Sequence, residues 1–507
     1  MKKFCCCRRQ IPVSLIGMKP LTAILPYRPG LSFKKTLRSM ANSPLVESVV
    51  VVCPEPLSLK GEGVRVLTAG PLSSGDTLNR VLTEARTNHL LFLAGSGQIS
   101  LELRALEKFT EKADSANAGI VYADFYDGEK GAKIRHPLND YQAGSVRDDF
   151  DFGPVILFST AAVRRSLDKF GFVPAVEVAG LYDLRLKVSI DHAVHRLGEP
   201  LSTMVGAGDP AGDDKLFAYV DRRQEKTQKE MEAVFTDYLK RIGAYLPPRS
   251  CREVPPAPES YPVEASVVIP VRNREQTIAE AVKSALSQET DFSFNILVVN
   301  NHSTDQTTFI LSDLVARHPT LEHIIPARKD LGIGGCWNEA VGHKACGRYV
   351  VQLDSDDLYE NPHSLQKMVN KLREGNYGLV VGSYTLVNSK LKEIPPGLVD
   401  HREWTDENGP NNALRINGLG APRGFPSALI RRIGFRNVSY GEDYAAALRI
   451  CREFRVGRIF ESLYLCRRWS GNTDAALGVE AANRNDAFKD QIRTEEIRAR
   501  QRMIRGE

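Results

Sequence analysis

The chain carries the same order of sequence patterns twice. An apolar, β-branched run ends at Pro26, and a similar run ends at Pro270, 244 residues later. Asn79 and Asn338 then stand at matching positions 259 residues apart, and the strand-like segments that follow them keep this spacing. Because one modest insertion explains the change in spacing, the pattern indicates a tandem duplication of one domain.

Each copy begins with the pattern of a strand, a helix and a second strand. In the second copy, an apolar run over residues 265–269 precedes a helix-compatible segment over 277–286 and another apolar run over 295–299. Strands that are apolar at consecutive positions are typical of parallel sheets with helices on both faces. The sequence therefore predicts an α/β chain of two Rossmann-like domains in tandem, each built on a mostly parallel sheet.

Flanking segments surround the two copies, because 507 residues exceed what one ordinary hydrophobic core supports. We assign residues 1–17 to a disordered leader, 18–215 to the first copy, 216–262 to a helix and Pro-rich linker, 263–478 to the second copy and 479–507 to a charged, solvated C-terminal helix. An alternative role for the leader is palmitoylation of Cys5, Cys6 and Cys7.

The overall composition excludes several classes of protein. The net charge of +5 is small for this length and its basic and acidic residues are interspersed, so we expect no nucleic-acid partner. The nine cysteines show no zinc-like spacing, which indicates a reduced, cytoplasmic protein rather than a disulfide scaffold. No apolar run is long enough to span a membrane. We therefore expect a soluble protein that could associate peripherally with the inner face of the membrane.

Three carboxylates follow a buried-type strand in the second copy. Asp354 and Asp356 alternate with Ser355, so two acids can approach one site while Asp357 faces elsewhere. Ligands bind at the carboxyl ends of strands in open α/β sheets, and such oxygen ligands suit Mg²⁺ or Mn²⁺ with a diphosphate. The competing explanation is an Asp-rich cap of the next helix.

Polar residues also follow the two preceding strands. Pro270 and Arg272 come after the first strand of the second copy, and Asn300 and Asn301 come after the second. Neighbouring strand ends of this kind predict a nucleotide pocket, in which an asparagine amide could read the edge of a base. Asp305, further along, fits either a ligand contact or a helix cap.

Taken in order, these motifs resemble glycosyltransferase family 2, whose members have the GT-A fold. The resemblance covers about residues 264–475. Its counterparts are the stretch after Pro270, the turn Ser303-Thr304-Asp305, the segment around Asn338, the Asp354-Ser355-Asp356 motif and the pair Glu442-Asp443. It implies two GT-A-like domains, a nucleotide-sugar donor, a glycan or lipid-linked acceptor, and Mn²⁺ or Mg²⁺ as cofactor.

The resemblance also implies roles for individual residues. Asp354 would contact the ribose or the metal, and Asp356 would hold the metal on the diphosphate of the donor. Asp443, with Glu442 as the alternative, would be the base that activates the acceptor hydroxyl, and direct displacement would invert the anomeric carbon. The residues expected to contact the donor are Pro270, Arg272, Asn300, Asn301, Asn338, Asp354, Arg467 and Arg468.

Two positions of the second copy depart from the family pattern. Asn300 stands where an aspartate commonly reads uracil, so the identity of the base stays open. Trp469 stands where a histidine often completes the metal site, and Asp474 or diphosphate oxygens with waters would then take that role.

The first copy departs further from the family. Gly95, Ser96 and Gly97 lie where the second copy has Asp354-Ser355-Asp356, although Asp183 keeps the position of the expected base. Glycine has no side chain to hold a metal. We therefore expect a degenerate domain that binds the acceptor glycan or stabilises the second copy, with an independent, metal-free enzyme as the alternative.

Two other functions compete with glycosyl transfer. A sugar-phosphate nucleotidyltransferase would carry a Gly-rich, basic loop after its first strand, but residues 270–274 contain no glycine. A non-catalytic, tandem carbohydrate-binding or scaffold protein would not need Asp354, Asp356 and Asp443 in the same copy. The sequence favours a transferase whose active site lies in the C-terminal half.

Overall fold

The computed structural model describes residues 19–59, 61–94, 97–129, 132–206, 224–248, 251–257, 260–416, 419–472 and 477–507. The predictions made for the leader, for Gly95 and Ser96, and for Asp474 concern positions outside these ranges. The chain divides into two compact units. The first unit comprises Met1–Tyr141 and Asp151–Gly208, and the second comprises Gln142–Phe150 and Asp209–Glu507.

The first unit alternates strands with helices. Its elements are β1 (Leu21–Pro26), α1 (Leu31–Ala41), β2 (Val46–Cys53), β3 (Val64–Thr68), α2 (Gly75–Glu84), β4 (His89–Leu93), β5 (Gln98–Leu101), α3 (Ala105–Ser115), β6 (Ile120–Glu129), β7 (Ala132–His136), β8 (Val155–Ser159), α4 (Thr160–Phe170), α5 (Gly180–Asp191) and β9 (Val194–Val205).

The second unit begins with a helix and then follows the same alternation. Its elements are α6 (Glu225–Arg241), β10 (Ala265–Val271), α7 (Ile278–Leu286), β11 (Phe294–Asn300), α8 (Thr307–Arg317), β12 (Leu321–Ile324), α9 (Ile333–Gly342), β13 (Tyr349–Gln352), β14 (Leu358–Tyr359), α10 (Ser364–Glu374), β15 (Tyr377–Asn388), β16 (Glu393–Val399), α11 (Gly409–Asn412), β17 (Arg423–Pro426), α12 (Ser427–Ile433), α13 (Glu442–Glu453), β18 (Arg455–Arg468) and α14 (Val479–Arg505).

The two units have sheets of the same topology. The strand order is β3-β2-β1-β4-β8-β6-β9-β5 in the first sheet and β12-β11-β10-β13-β17-β15-β18-β14 in the second. The remaining strands, β7 and β16, pair with β6 and β15. Each strand of the second sheet thus has its counterpart nine strands earlier in the chain, among the described residues. The predicted α/β class and tandem arrangement are confirmed.

The strand directions within each sheet are mixed. In the second unit, β12, β11, β10 and β13 are parallel neighbours. Beyond them β17 runs antiparallel to both β13 and β15, and β14 runs antiparallel to β18. The parallel half brings the carboxyl ends of β10, β11 and β13 to one edge of the sheet, which is where ligands bind in such folds.

The buried strands explain why the apolar runs are continuous. Val267 and Ile269 of β10 pack in a core cluster with Ile278 and Val282 of α7. Val268, between them on the chain, points to the opposite face and is also fully buried. Because both faces of the sheet are covered here, the polar residues of β10 and β11 lie at or next to the ends of these strands.

The same side-chain contact occurs within each unit, where it holds the segment that precedes α5 in the first unit and α13 in the second. The amide of Asn338 donates to the carbonyl of Phe435 at 2.8 Å and accepts from its N–H at 2.9 Å. Asn79 makes the same pair of hydrogen bonds with Val173, at 2.8 and 3.1 Å. The two matching asparagines therefore have a structural role, because each one hydrogen-bonds both backbone groups of a residue in the following segment.

Two matching glycines allow the same segment to approach closely. A Cβ atom on Gly334 would lie 1.8 Å from the carbonyl oxygen of Arg436, and one on Gly75 would lie 1.8 Å from that of Pro174. Any side chain at these positions would push the segment away. The duplication therefore extends from strand order to backbone packing.

The segment Gln142–Phe150 belongs to the second unit, unlike the boundaries assigned from the sequence. Its contacts with α14 explain this: the hydroxyl of Ser145 donates to Asp490 at 2.9 Å, and the N–H of Gly144 donates to Thr494 at 2.8 Å. These partners lie about 350 residues apart in the chain, so no local sequence pattern could predict the contact.

The C-terminal helix forms as predicted, but the expectation that it is solvated is wrong. Arg493 and Arg500 of α14 are fully buried. Arg493 donates to Asp490 at 2.9 Å, and Arg500 donates to Glu496 at 2.9 Å. Oppositely charged residues three or four positions apart give the same sequence pattern on an exposed helix and on a buried one, so the sequence could not distinguish the two. No helix in the described part of the chain is long and apolar enough to cross a membrane.

Candidate active site

A cavity of about 510 Å³ lies at the carboxyl ends of β10, β11 and β13 in the second unit. This volume is within the usual range for small-molecule sites. The predicted site residues that line it are Pro270, Arg272, Asn301, Asp354, Asp356, Glu442, Asp443 and Arg468. The structure therefore gathers most of the predicted residues, from distant parts of the chain, around one space.

Asn300 lies outside the cavity lining. Its amide nitrogen donates to Thr308 at 2.9 Å and lies 3.1 Å from a ring nitrogen of His323. Its amide oxygen accepts from the N–H of Ser303 at 3.0 Å. These contacts use the side chain to hold the turn after β11, so the structure does not bring Asn300 to the ligand side.

Asn338 and Arg467 also lie outside the lining. The amide of Asn338 hydrogen-bonds the backbone of Phe435, as described above. Arg467 pairs with Glu280 at 2.6 Å, and its backbone N–H donates to Asp357 at 2.7 Å. Asp357 was expected to face elsewhere, but it is buried and lines the cavity together with Asp354 and Asp356.

Asp354 is held by its neighbour on the strand. The amide nitrogen of Gln352 donates to both carboxylate oxygens of Asp354, at 2.9 and 3.1 Å. Burial raises the pKa of Asp354, although the hydrogen bond from Gln352 opposes the shift. The pKa of Asp357 is raised well above its usual value, by burial and by the charges of Asp356 and Asp354. This end of β13 therefore gathers three carboxyl groups, Asp354, Asp356 and Asp357, whose mutual repulsion and burial oppose full ionisation.

Asp356 is oriented by residues that follow β18. The indole N–H of Trp469 donates to its Oδ2 atom at 3.1 Å, and the amide of Asn472 donates to the same oxygen at 3.3 Å. The guanidinium of Arg274 lies 3.5 Å from this oxygen. Trp469 thus acts on the carboxylate through a hydrogen bond. Within the described ranges, no group of three or more His, Cys, Asp or Glu side chains is arranged to hold a metal.

Glu442 and Asp443 begin α13 on another wall of the cavity. Asp443 Oδ2 pairs with Arg423 at 2.6 Å, its Oδ1 accepts from the N–H of Tyr444 at 2.6 Å, and its side chain is 32% exposed. Burial raises the pKa of Asp443, but Arg423 and Lys489 outweigh it and leave a net lowering. Asp443 is therefore ionised at neutral pH.

Glu442 has the opposite tendency. Burial, with the charge of Asp443, raises the pKa of Glu442 to about 8, so it is protonated at neutral pH. Two adjacent carboxyls whose pKa values are pushed apart are typical of sites that need one base. Of the two, Asp443 is therefore the carboxyl that is free of a proton at neutral pH.

Replacing Glu442 with glutamine should make stability less sensitive to pH. In the wild type the folded pKa of about 8 exceeds the ordinary 4.5, so the stabilising contribution is present below pH 4.5 and is lost as the pH rises through 8. A neutral amide keeps that contribution. Unfolding temperatures from pH 5 to 9 should fall less in Glu442→Gln than in the wild type or in the exposed control Glu480→Gln. Parallel curves for all three proteins would contradict the protonated state of Glu442.

Arg423 is the main site residue that the sequence motifs missed. It begins β17, which pairs with β13 so that Val351 lies opposite Gly424. This pairing places Arg423 beside Gln352, to which it donates at 2.8 Å. The contact joins two segments that are 71 residues apart in the chain, so no local sequence pattern could predict it.

The wall beside α9 is aromatic. The ring centroids of Trp337 and Phe435 are 5.2 Å apart, and those of Phe425 and Phe435 are 5.8 Å apart. All three residues line the cavity. These rings give the cavity an apolar wall next to its charged carboxyl and guanidinium groups. Such a cavity suits a ligand that has both an apolar part and a charged part.

Comparisons with known proteins match the part of the chain that forms this site. Residues 266–438 match the model of Glycosyl transferase family 2. Chondroitin synthase of Escherichia coli is 36% identical over 110 residues, which are 22% of this chain and 15% of that protein. UDP-Glc:alpha-D-GlcNAc-diphosphoundecaprenol beta-1,3-glucosyltransferase WfgD of Escherichia coli is 29% identical over 201 residues, 38% of this chain and 72% of that protein.

The extent of these matches differs from one relative to the next. The chain spans 15% of the length of chondroitin synthase and 31% of that of an uncharacterized Mycobacterium bovis protein, Mb1547, which is 29% identical over 107 residues. Among solved structures, S. aureus TarS 1-349 in complex with UDP-GlcNAc matches with a TM-score of 0.36 and 22% identity, over 47% of this chain and 73% of that chain.

The match to the family model falls on the elements that build the cavity. It begins in β10, includes Asp354 and Asp356, and ends just before Glu442 and Asp443. The predicted resemblance is confirmed, and the two sheets have the same strand order, as the expected tandem arrangement requires. Residues 266–438 of this chain are therefore the part that is similar to glycosyl transferase family 2.

Proposed function

We propose that the second unit transfers a sugar from a nucleoside-diphosphate sugar to a hydroxyl group of a glycan or lipid-linked acceptor. The observation that carries this proposal is the shared cavity, which is lined both by Asp354 and Asp356 and by the ionised Asp443. Donor binding and acceptor activation require these two kinds of carboxylate in one space.

The nucleotide would lie near Asn301. Its amide nitrogen donates to the carbonyl of Leu331 at 2.8 Å, which leaves the amide oxygen buried without a hydrogen-bond partner in the described structure. An unpaired buried acceptor favours a ligand that brings an N–H group. Uracil and guanine present an N–H on the ring, whereas cytosine and adenine present one only on an exocyclic amino group. We propose that Asn301 accepts from a ring N–H, and hence that the donor is a uridine or guanosine diphosphate sugar.

Arginines supply positive charge for the diphosphate. Arg272, Arg274 and Arg468 all line the cavity. Guanidinium groups bind phosphate oxygens with directed, charge-assisted hydrogen bonds. Arg467, which pairs with Glu280 outside the lining, would support this end of β18 rather than contact the donor.

The carboxylates fit a divalent cation. Trp469 and Asn472 both donate to Oδ2 of Asp356, which leaves Oδ1 for a metal, and Asp354 lies in the same cavity. We propose Asp356 as the principal protein ligand of Mn²⁺ or Mg²⁺, with Asp354 as the second. When bound, such a cation would neutralise the charge on the departing nucleoside diphosphate.

Asp443 would act as the general base. The acceptor hydroxyl gives its proton to the Asp443 carboxylate while its oxygen bonds to the anomeric carbon, and the bond from that carbon to the diphosphate breaks. Attack opposite the leaving group inverts the anomeric configuration. Protonated Glu442 beside it adds no second negative charge to the site.

The first unit would have a supporting role. Asp183, at the position corresponding to Asp443, forms a buried ion pair with Lys187 of the same helix at 2.6 Å. We propose that this unit binds the acceptor glycan or stabilises the second unit, and that the protein works in the cytoplasm at the inner face of the membrane. Such a location suits a lipid-linked acceptor, as in the name of the relative WfgD.

Binding of nucleoside diphosphates tests the proposal. We expect calorimetry in the presence of Mn²⁺ to show UDP or GDP binding at least about tenfold more tightly than CDP or ADP. Asn301→Leu should abolish the preference, since it removes the unpaired acceptor. The proposal fails if no nucleoside diphosphate binds, or if the preference survives in Asn301→Leu.

A further inference from the structure

Arg423 and Gln352 form a bridge between the two functional ends of the cavity. We propose that Arg423 is a positioning residue for Asp443, and that Gln352 anchors Arg423 to the strand end that carries Asp354. This inference rests on the proposed function, because it concerns the residue that would accept the proton of the acceptor hydroxyl.

The guanidinium of Arg423 is fixed by partners on three sides. Nη2 pairs with Oδ2 of Asp443 at 2.6 Å, Nη1 donates to Oε1 of Gln352 at 2.8 Å, and Nε donates to the carbonyl of Leu419 at 2.5 Å. The Arg423 side chain is only 12% exposed. An arginine with all three edges engaged has little freedom, so it sets where the carboxylate of Asp443 lies.

The amide of Gln352 has only one orientation that satisfies both neighbours. Its oxygen must face Arg423, because guanidinium groups only donate, and its nitrogen must face Asp354, because carboxylates only accept. Gln352 is itself buried. The amide therefore links the Asp354 carboxylate to Arg423 through direct hydrogen bonds on both sides.

The segment that supplies the third partner of Arg423 is also held in place. The N–H of Gly420 donates to Nε2 of His401 at 3.2 Å, and the other ring nitrogen of His401 contacts Glu403 at 3.1 Å. Burial lowers the pKa of His401, which keeps the ring neutral and able to accept this hydrogen bond. Leu419, whose carbonyl accepts from Arg423, therefore precedes a residue that is hydrogen-bonded to His401.

The charges around Asp443 give Arg423 an electrostatic role as well. Arg423 from β17 and Lys489 from α14 are positive, while Asp354 at the end of β13 and the neighbouring Glu442 are carboxyls. Arg423 is the one that contacts Asp443 directly in the described structure. Removing its charge should leave Asp443 harder to ionise, so the base would be in its active form only at higher pH.

Three variants separate geometry from charge. Arg423→Gln removes both, Arg423→Lys keeps the charge but not the fork of donors, and Gln352→Met keeps the volume but breaks the bridge. With a nucleotide-sugar donor and its acceptor, we expect kcat to fall about 100-fold in Arg423→Gln and about tenfold in the other two. The acidic limb of the kcat/KM profile should move to higher pH in Arg423→Gln and stay in place in Arg423→Lys.

The exposed Arg317→Gln serves as the control, and thermal unfolding identifies any variant that fails to fold. If Arg423→Gln does not fold, Arg423→Lys and Gln352→Met still decide the matter. An unchanged kcat in Gln352→Met and Arg423→Lys, or an unmoved pH limb in a folded Arg423→Gln, would overturn the positioning role. An inactive wild type would instead contradict the proposed function.

Discussion

Replacing Asp443 with asparagine should lower kcat by about 1,000-fold, within the range typical of a lost general base. The amide oxygen can still accept the hydrogen bond from the N–H of Tyr444, so α13 should keep its first turn. What is lost is the negative charge that takes the proton of the acceptor. Single-turnover transfer with saturating donor would measure this loss, and calorimetry should show donor Kd within about threefold of the wild type.

The exposed Asp406→Asn is a matched control, since it makes the same chemical change away from the cavity and should leave kcat unaltered. Retention of full activity by Asp443→Asn would show that another group accepts the proton. Glu442→Gln then becomes the deciding variant, because it should be nearly fully active if Asp443 is the base and strongly impaired if Glu442 is.

Asp356→Asn should weaken metal-dependent binding of the donor by about 100-fold or more, because a neutral amide is a poor ligand for a hard divalent cation. The change should not disturb the fold. The amide oxygen of the variant can still accept hydrogen bonds from Trp469 and Asn472. Calorimetric titration of the donor, with Mn²⁺ and again with a chelator, would measure the effect.

The exposed Asp330→Asn provides the control for Asp356, and it should bind donor like the wild type. In the wild type the chelator should weaken donor binding, whereas in Asp356→Asn it should change little because the metal contribution is already lost. Equal donor affinity in the wild type and in Asp356→Asn, with or without the chelator, would contradict the proposed metal site.

The fold could be predicted from the sequence because its signals are local and repeated. The apolar runs ending at Pro26 and Pro270 and the paired Asn79 and Asn338 all keep their spacing, and the sheets prove to have the same strand order. The exposure of α14 could not be predicted, because Arg493 and Arg500 find partners whose sequence pattern is the same on a solvated helix. Periodicity reports where charges lie on a helix and not what covers them.

The sequence predicted the site residues that directly follow a strand, but not those that reach the site through the pairing of two strands. Asp354 and Asp356 follow a buried strand directly, so their place at the edge of the sheet follows from the chain itself. Asn300 also follows a strand, but hydrogen bonds with Thr308 and Ser303 turn its amide away from the cavity. Arg423 enters the site only through the pairing of β17 with β13, which no motif encodes.

Release of nucleoside diphosphate from nucleotide sugars tests the central claim most directly. The wild type would be incubated with Mn²⁺, a mixture of glycan and lipid-linked acceptors, and each of a panel of UDP- and GDP-sugars, and the products separated by chromatography. The proposed function predicts acceptor-dependent release from at least one donor, together with a new glycosidic bond of inverted configuration and a loss of about 1,000-fold in Asp443→Asn. Absence of release from every donor, or equal release by Asp443→Asn, would contradict it.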